Sequence, residues 1–347
     1  MSPPLFLLTA HAARRRRIFS RIRGIPPQVP MSSTLSASGS RSLSAAQSTP
    51  HPRRNRDQRI AILVVLPSII ATAIFVYGFI GWTLRVSLSN WTGLMPDYSF
   101  AGLRQYIELA RDPRFAIDIR NTAIFTVLFL VSCLAIGLFL AILLDQRVRG
   151  ENVFRSIFLF PMAVSFIVTG VAWRWLMNSA TGTRISGLNL LFHQLGLDPL
   201  INNWHLTDPP WGIAFIALPA VWQMSGFTMA LYLGGLRAIS DDLREAARVD
   251  GASEFQTYRY ILLPLLRPIT LSAVIILGHI SLKIFDLIVA ISQNNIALDV
   301  PAVYMWRTTF DGNNYGQGAA IGILMLLTVA LLIVPYLFYS MRSQEEM

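Results

Sequence analysis

Charged residues are scarce in this sequence of 347 residues, and their scarcity excludes the commonest class of proteins. Asp, Glu, Lys and Arg together make 14% of the chain, whereas hydrophobic residues make 53% and the mean hydropathy is +0.49. Soluble globular domains carry about 25% charged residues. The composition is therefore that of an integral membrane protein.

Lysine, cysteine and histidine are also scarce, and each scarcity excludes a kind of site. The single lysine, Lys283, lies in an apolar segment and not after a glycine-rich turn, so the chain has no nucleotide-binding P-loop. The single cysteine, Cys133, cannot form an internal disulfide, and its apolar surroundings indicate a small buried side chain. The five histidines are scattered without metal-ligand spacing. We therefore expect no enzyme, no metal site and no cofactor in the chain itself.

Basic charge is concentrated at the N-terminus. Residues 1–59 hold eleven arginines and one aspartate, whereas the rest of the chain has equal numbers of basic and acidic residues. The segment is rich in Ser and Pro and poor in apolar residues, so we expect a disordered tail. Alternatives are a targeting peptide, an arm on anionic lipid, or a stretch that is not translated because the true start is Met31. A dispensable tail that helps to hold the N-terminus inside is the interpretation we favour.

Long apolar segments predict an all-α membrane domain over residues 60–341, followed by a short tail at 342–347. A helix needs about 20 residues to cross about 30 Å of hydrocarbon. Six segments have this length and leave no room for a folded soluble domain: 60–84, 122–144, 156–177, 211–236, 268–291 and 318–339.

Arginine placement predicts that both termini are cytoplasmic. Cytoplasmic loops of membrane proteins carry an excess of Lys and Arg. With the N-terminus inside, this side receives the tail, three arginines after the second span, five in residues 237–267 and Arg342, against seven in the outer loops. The chain is expected to be a multi-pass protein of a bacterial or archaeal plasma (inner) membrane.

The polar segment between the fourth and fifth spans, residues 240–267, has the pattern of a helical hairpin. Ser240 can cap a first helix, and Gly251 can end it because glycine adopts the left-handed conformation at little steric cost. Ser253 and Gln256 form a capping box that starts a second helix. Such a hairpin is either a structural elbow or a docking element for another protein.

This hairpin resembles the EAA loop of permease subunits in binding-protein-dependent ABC importers. The family pattern is E-A-A, two residues, D-G-A, then an aromatic residue, an isoleucine and L-P. Tyr258 is a departure, because Phe is commoner there. A loop in which Glu245 and Asp250 only solubilise the backbone is the alternative, which so many matches disfavour. The ten matched positions are Glu245, Ala246, Ala247, Asp250, Gly251, Ala252, Tyr258, Ile261, Leu263 and Pro264.

The resemblance extends over residues 60–339 and implies the fold and partners of a type I ABC importer permease. The chain would form a heterodimer with a second permease, served by an extracytoplasmic solute-binding protein and by two ATPase subunits that bind ATP and Mg²⁺. The hairpin would fit a cleft on the ATPase, with Glu245 facing a basic residue and Gly251 allowing close approach. The ATPase-coupling set implied is Glu245, Ala246, Ala247, Asp250, Gly251 and Ala252.

Polar side chains within the spans are candidates for the substrate path. An ion at mid-bilayer costs about 2.5–3.5 kcal/mol on insertion scales, so such groups need partners or water. Lys283 and Asp286, three residues apart on the fifth span, are expected to share a helix face and neutralise each other. They either line the path or form a structural pair near the outer interface, and Trp222 could equally be a packing residue. The candidates are Trp222, Gln223, Ser225, His279, Lys283 and Asp286.

Other segments are similar to the sugar branch of this family, the MalF-type subunits, and within it to glucose- or mannose-type permeases. Residues 292–295 depart from that likeness, because they read S-Q-N-N where the family often reads T-G-G-P, in a loop expected to meet the binding protein. The sequence thus predicts import of a sugar, with a glucose-like one favoured. An ion-coupled secondary carrier or a channel without an ATPase is the alternative, which the hairpin disfavours. The similar segments are 173–176, 222–227, 283–287 and 299–302.

Overall fold

The computed structural model describes residues 54–345 except 147–148 and 181. The chain divides into two units, Met1–Leu63 and Val64–Met347, and the packing described below is that within the second. Residues 1–53 of the predicted tail lie outside the described residues, as do 346–347 of the predicted C-terminal tail. The last residues of the first tail, 54–59, begin the first helix, where a disordered chain was expected.

Helices joined by turns and loops make up the fold, and the described residues contain no β-strand beyond one antiparallel bridge between Ser89 and Phe100. Turns of 3₁₀ or π-helix interrupt several of the helices. The α-helices are α1 (Arg54–Thr72), α2 (Phe79–Ser87), α3 (Arg104–Arg111), α4 (Pro113–Asp145), α5 (Glu151–Leu159), α6 (Phe166–Leu176), α7 (Gly187–Gln194), α8 (Gly212–Ala238), α9 (Asp241–Val249), α10 (Glu254–Thr257), α11 (Leu263–Leu265), α12 (Arg267–Leu282), α13 (Asp286–Ser292), α14 (Pro301–Trp306) and α15 (Tyr315–Glu345).

Four stretches of the described chain are continuous helices long and apolar enough to cross a membrane, and two bent pairs bring the number to six. The continuous stretches are Ile62–Ser87, Pro113–Asp145, Gly212–Ala238 and Tyr315–Pro335. The bent pairs are Glu151–Ala163 with Phe166–Leu176, at 98°, and Glu254–Leu265 with Arg267–Leu282, at 63°. Six spans were predicted, and the third and the fifth of them are the bent ones.

The bend in the third span follows from Pro161 and Ser165. Pro161 lies in the 3₁₀ turn Phe160–Ala163 after α5, because proline has no amide proton for a helical hydrogen bond and its ring clashes with the preceding turn. Ser165 then starts α6, since its hydroxyl accepts a hydrogen bond from the Val168 amide at 3.4 Å. Two local signals therefore produce one large change of direction.

The fifth span, predicted as one helix over 268–291, is also divided. Pro264 and Pro268 each remove a helical donor near the 63° bend at its start. Farther along, α12 ends at Leu282 and α13 begins only at Asp286, because Phe285 leaves helical geometry with φ −128° and ψ −60°. The charged end of this span is therefore not on a continuous helix.

The second span begins nine residues earlier than the predicted residue 122. Asp112 caps α4 by accepting a hydrogen bond from the Arg114 amide at 2.8 Å, and Pro113 occupies the first helical position, which favours proline. Two polar residues of the first turns, Asp118 and Asn121, are fully buried. Hydropathy alone placed this start too late because the polar turns contact protein instead of lipid.

Helices α4 and α8 pack along their length and form the centre of the core. Phe125, Phe129 and Cys133 of α4 are fully buried there, as expected for the cysteine. Where the helices cross, a Cβ placed on Gly137 would lie 2.6 Å from the Cβ of Thr228, well inside contact distance. Small residues permit such close approach between membrane helices.

We predict that Gly137→Ala destabilises the protein by about 1–3 kcal/mol, because its methyl group would force α4 away from α8. The matched control is Gly234→Ala on α8, where an added Cβ would meet nothing within 4 Å. Alanine favours a helix over glycine by about 0.5–1 kcal/mol, so the control should be neutral or stabilising. Thermal unfolding in detergent measures both, and equal melting temperatures would contradict the assignment of this crossing.

Candidate functional site

Residues 240–267, hereafter the hairpin, form two helical arms joined by a tight turn. Gly251 has φ +80°, a left-handed conformation that L residues rarely adopt. Its amide donates to the Arg248 carbonyl at 3.1 Å, and the Ala252 amide donates to the Ala247 carbonyl at 2.9 Å. This pair of hydrogen bonds is the Schellman motif, which closes the last turn of α9.

Side chains cap both arms of the hairpin. The Ser240 hydroxyl accepts from the Asp242 amide at 3.2 Å, which starts α9. Ser253 and Gln256 form both bonds of a capping box, at 3.3 Å and 2.8 Å. Each such cap is worth about 0.5–2 kcal/mol. The hairpin is thus held in shape by its own local contacts.

The predicted coupling residues divide between an inner and an outer face. Ala247 is 4% exposed and packs inward, and Ala252 is half-buried. Two large apolar side chains near the turn are strongly exposed, Val249 at 87% and Phe255 at 77%. An exposed face that combines apolar and charged groups is typical of a protein interaction site. The exposed members of the coupling set are Glu245, Ala246, Asp250 and Gly251, and Glu245 also lines a cleft beside the hairpin.

A polar cleft of about 1180 Å³ lies between the hairpin and the ends of α4, α5 and α8. Asp145, the last residue of α4, is buried in it and is bound by the hairpin. Sequence reasoning missed this residue, although a carboxylate at the end of an apolar segment is a recognisable signal. The ion pairs that line the cleft are Arg237–Glu151 at 2.7 Å, Arg244–Asp145 at 2.7 Å and Arg248–Glu254 at 3.0 Å.

Gln223, a predicted substrate residue, supports the bend in the third span. It is 3% exposed, and its Nε2 donates to the Val164 carbonyl at 2.6 Å, between the 3₁₀ turn and α6. One turn later, a Cβ on Gly226 would lie 1.9 Å from the Phe158 carbonyl oxygen. Both residues therefore fit the bent backbone closely. The Gln223 Oε1 is buried and has no hydrogen-bond partner in the described chain.

Trp222 and Ser225, the other candidates on α8, differ in how much of each residue is exposed. Ser225 is 9% exposed, whereas Trp222 is 41% exposed and its ring lies 6.1 Å from that of Trp173. Aromatic pairs at this separation are favourable in tilted geometry. Trp222 is therefore the member of this group whose ring a substrate could reach.

The predicted pairing of Lys283 with Asp286 is wrong. The chain leaves helical geometry between them, so the two residues do not share a helix face. No ion pair joins them in the part of the chain that the structure describes, and the Lys283 Nζ instead lies 3.2 Å from the His279 Nε2. Both charged residues are exposed, and His279 lines an apolar cavity of about 470 Å³ between α4, α12 and α15.

A buried polar cluster that sequence reasoning missed joins the start of α4 to the loop after α13. Asp299 pairs with Arg114 at 2.7 Å and with Arg307 at 3.2 Å. Asn121 donates to the carbonyls of Ala297 and Asp299, both at 2.9 Å. Burial raises the pKa of Asp299, so its ionised form depends on the two guanidinium groups. The sequence feature that could have pointed to this cluster is the similarity of residues 299–302 to the sugar branch of the family.

Residues 292–295, which depart from the family pattern, include a residue with an unusual backbone conformation. Gln293 adopts φ +55° and ψ −102°, which is strained for any residue with a Cβ, and the family pattern has glycine at this position. Its carbonyl accepts a hydrogen bond from the Arg307 Nη2 at 3.0 Å. Arg307 therefore fixes this strained turn and the buried Asp299 together.

Comparisons with known proteins find similarity to membrane components of transport systems. Residues 133–342 match the family described as binding-protein-dependent transport system inner membrane component. A probable ABC transporter permease of Pyrococcus horikoshii is 41% identical over 85% of this chain and 100% of its own length. The xylose/arabinose import permease XacH of Haloferax volcanii is 36% identical over 79% of this chain and 86% of its own. A solved bacterial ABC transporter involved in the import of the acidic polysaccharide alginate shares the fold, with a TM-score of 0.71 at 21% identity over 84% of this chain and 98% of that one.

We predict that Gln293→Gly stabilises the protein by about 1 kcal/mol, because glycine removes a backbone strain of about 1–3 kcal/mol and retains the carbonyl that Arg307 binds. Asn294→Gly is the matched control, since Asn294 is equally exposed but has no positive φ. The control should lower the melting temperature in detergent. A lower melting temperature for both variants would show that Gln293 is not strained.

Proposed function

Because the chain belongs to the family of binding-protein-dependent transport system inner membrane components, we propose that it is the permease subunit of an ATP-driven importer and that its substrate is a sugar. Membership confirms the family predicted from the EAA segment and the all-α, multi-pass membrane fold. It does not support the alternative, an ion-coupled secondary carrier or a channel. The role of the chain is transport, and the catalytic step belongs to a partner.

The observation that carries the proposal is the capped hairpin with its outer face exposed. Glu245 and Asp250 offer negative charge there, and Val249 offers a large apolar contact. A separate ATPase subunit, which binds ATP and Mg²⁺, would dock on this face. Because both arms are capped and the turn is closed by hydrogen bonds, a push on the face moves the hairpin as a unit. ATP binding at the ATPase is thereby converted into a displacement at the ends of the membrane helices.

The complete transporter would contain a second permease, two ATPases and an extracytoplasmic solute-binding protein. The first span leaves room for the second permease, because its large apolar side chains are exposed in the described chain. Phe75, Phe79 and Trp82 are 65%, 60% and 47% exposed. Lipid or a neighbouring membrane helix would cover them. A heterodimer of two permeases is the arrangement we propose.

A sugar substrate is supported by the relative that imports xylose and arabinose and by the groups available in this chain. Trp222 presents an exposed ring on α8. His279, Lys283 and Asp286 offer hydrogen-bonding groups along the fifth span, and the last two are exposed. Aromatic faces with nearby polar groups suit sugar rings and hydroxyls. A glucose-like sugar remains the favoured prediction within this class.

Uptake assays with the chain, its second permease, its ATPase and its binding protein test the proposal. Radiolabelled glucose, mannose and xylose are the probes, with and without ATP inside proteoliposomes. Glu245→Ala removes a charge from the docking face, and loss of one partner of a desolvated charge pair costs about 2 kcal/mol or more. We therefore predict that ATPase binding weakens about 30-fold or more and that uptake falls accordingly.

The matched control is Glu108→Ala, an exposed glutamate of α3 beyond the other end of α4. This variant should bind the ATPase as the wild type does. Uptake that proceeds without the ATPase and collapses when an ion gradient is dissipated would refute the importer proposal and support the secondary carrier.

Membrane orientation gives a further prediction. Cys133 is the single cysteine and is buried, so introduced cysteines can be labelled without replacing it. With both termini cytoplasmic, Val249→Cys should react with a membrane-impermeant maleimide only in inside-out vesicles. Glu108→Cys should react only in right-side-out vesicles. The reverse pattern would place the hairpin outside, away from ATP.

A further inference from the structure

The carboxylate of Asp145 joins both arms of the hairpin to a membrane helix. Asp145 is the last residue of α4, and its side chain is 5% exposed. Its Oδ2 accepts a hydrogen bond from the Arg244 Nη1 at 2.7 Å and another from the Tyr258 hydroxyl at 2.6 Å. Arg244 lies on α9, in the first arm, and Tyr258 follows α10, in the second. One oxygen atom thus holds the two arms together and fixes them to α4.

Arg244 extends the connection to α8. Its Nη2 donates to the carbonyl of Leu236, in the last turn of α8, at 3.2 Å. Helices α4 and α8 are the pair that packs along its whole length at the centre of the core. We name the group of Asp145, Arg244 and Tyr258 the clasp. The clasp therefore connects the hairpin to the two most closely packed membrane helices.

Local energetics do not explain a carboxylate at this position. The C-terminus of a helix carries partial negative charge, so an acidic residue there opposes the helix dipole. Burial of an ion adds a desolvation cost that a single partner often fails to offset. Two short hydrogen bonds from the hairpin compensate for both penalties. A carboxylate at this position therefore serves to connect α4 to the hairpin and does not stabilise α4 itself.

Tyr258 is the position at which the hairpin departs from the family pattern, where Phe is commoner. The hydroxyl that distinguishes tyrosine from phenylalanine is the group that binds Asp145. The guanidinium carbon of Arg244 also lies 6.0 Å from the centre of the Tyr258 ring, within the range of a cation–π interaction. The departure thus adds a contact to the clasp.

Two further ion pairs around the cleft do not make this connection. Arg248 and Glu254 join the two arms to each other and are 65% and 67% exposed. Arg237 and Glu151 join α8 to α5 and do not include either arm. The pair of Asp145 and Arg244, in contrast, links the hairpin to a membrane helix.

We propose that Asp145 is a positioning residue that transmits the displacement of the hairpin to α4 and α8, so that it couples ATP hydrolysis to transport. This inference rests on the proposed function, because it takes the hairpin as the docking site of an ATPase. Glu245 lines the same cleft as the clasp but makes none of its hydrogen bonds, and Val249 and Asp250 are exposed outside that cleft, so breaking the clasp leaves the docking face in place. The ATPase then still binds and hydrolyses ATP, while α4 and α8 follow its motion less well.

The test compares transport with hydrolysis in the reconstituted full complex. The measurement is the amount of radiolabelled glucose, mannose or xylose taken up per ATP hydrolysed, using whichever probe the wild type takes up. Asp145→Asn removes the charge at nearly constant shape, and we expect this ratio to fall about tenfold, because charge-assisted hydrogen bonds are the strong ones. Tyr258→Phe removes one hydrogen bond and retains the ring, and we expect a fall of about threefold.

A charge exchange and a control separate coupling from folding. The double variant Asp145→Arg with Arg244→Asp restores opposite charges and should recover most of the ratio. Glu254→Gln breaks the exposed pair within the hairpin and should leave the ratio unchanged. If Asp145→Asn reduces the amount of assembled complex but not uptake per ATP hydrolysed, Asp145 is merely structural and the inference is wrong. Co-purification of the ATPase with Glu245→Ala tests the docking site separately, so failure of one proposal does not imply failure of the other.

Discussion

Close packing of α4 against α8 is the interaction on which the other features of this protein depend. Gly137 permits it, because a side chain there would collide with Thr228. In a bilayer, helix association gains little from the hydrophobic effect and relies on close contact between small residues. Each functional element is then attached to one of these two helices: the bent third span to α8, and the loop after α13 and the hairpin to α4.

The two broken spans illustrate the cost of polar backbone in a membrane. Where a helix is interrupted, its carbonyl groups lose their partners and water is not available to replace them. Gln223 supplies a donor to Val164 at the bend of the third span, and Arg174 supplies one to Ala290 near the end of α13. Gln223, which was predicted to belong to the substrate path, and Arg174 thus complete the backbone of neighbouring helices.

The hairpin combines two properties that coupling requires. Its caps and its glycine turn are local, so its shape does not depend on the rest of the chain. Its position does depend on the rest of the chain, because α4 presents a buried carboxylate to both arms. A rigid element on a defined attachment transmits force, whereas a rigid element on a flexible attachment would only reorient.

Composition and local spacing were enough to predict the membrane class, the six apolar segments, the hairpin with its caps and the family, because these depend on patterns within about 25 residues. Which polar residues meet is set by the packing of the helices and could not be read from those patterns. Asp145 and Tyr258 are 113 residues apart and Arg114 and Asp299 are 185 apart, and no local pattern relates them. The tertiary structure also decided that Lys283 and Asp286 do not pair, since the break at Phe285 departs from the helical spacing on which that expectation relied. Local signals set the shape of each segment, but the contacts between distant segments follow from how α4 and α8 pack.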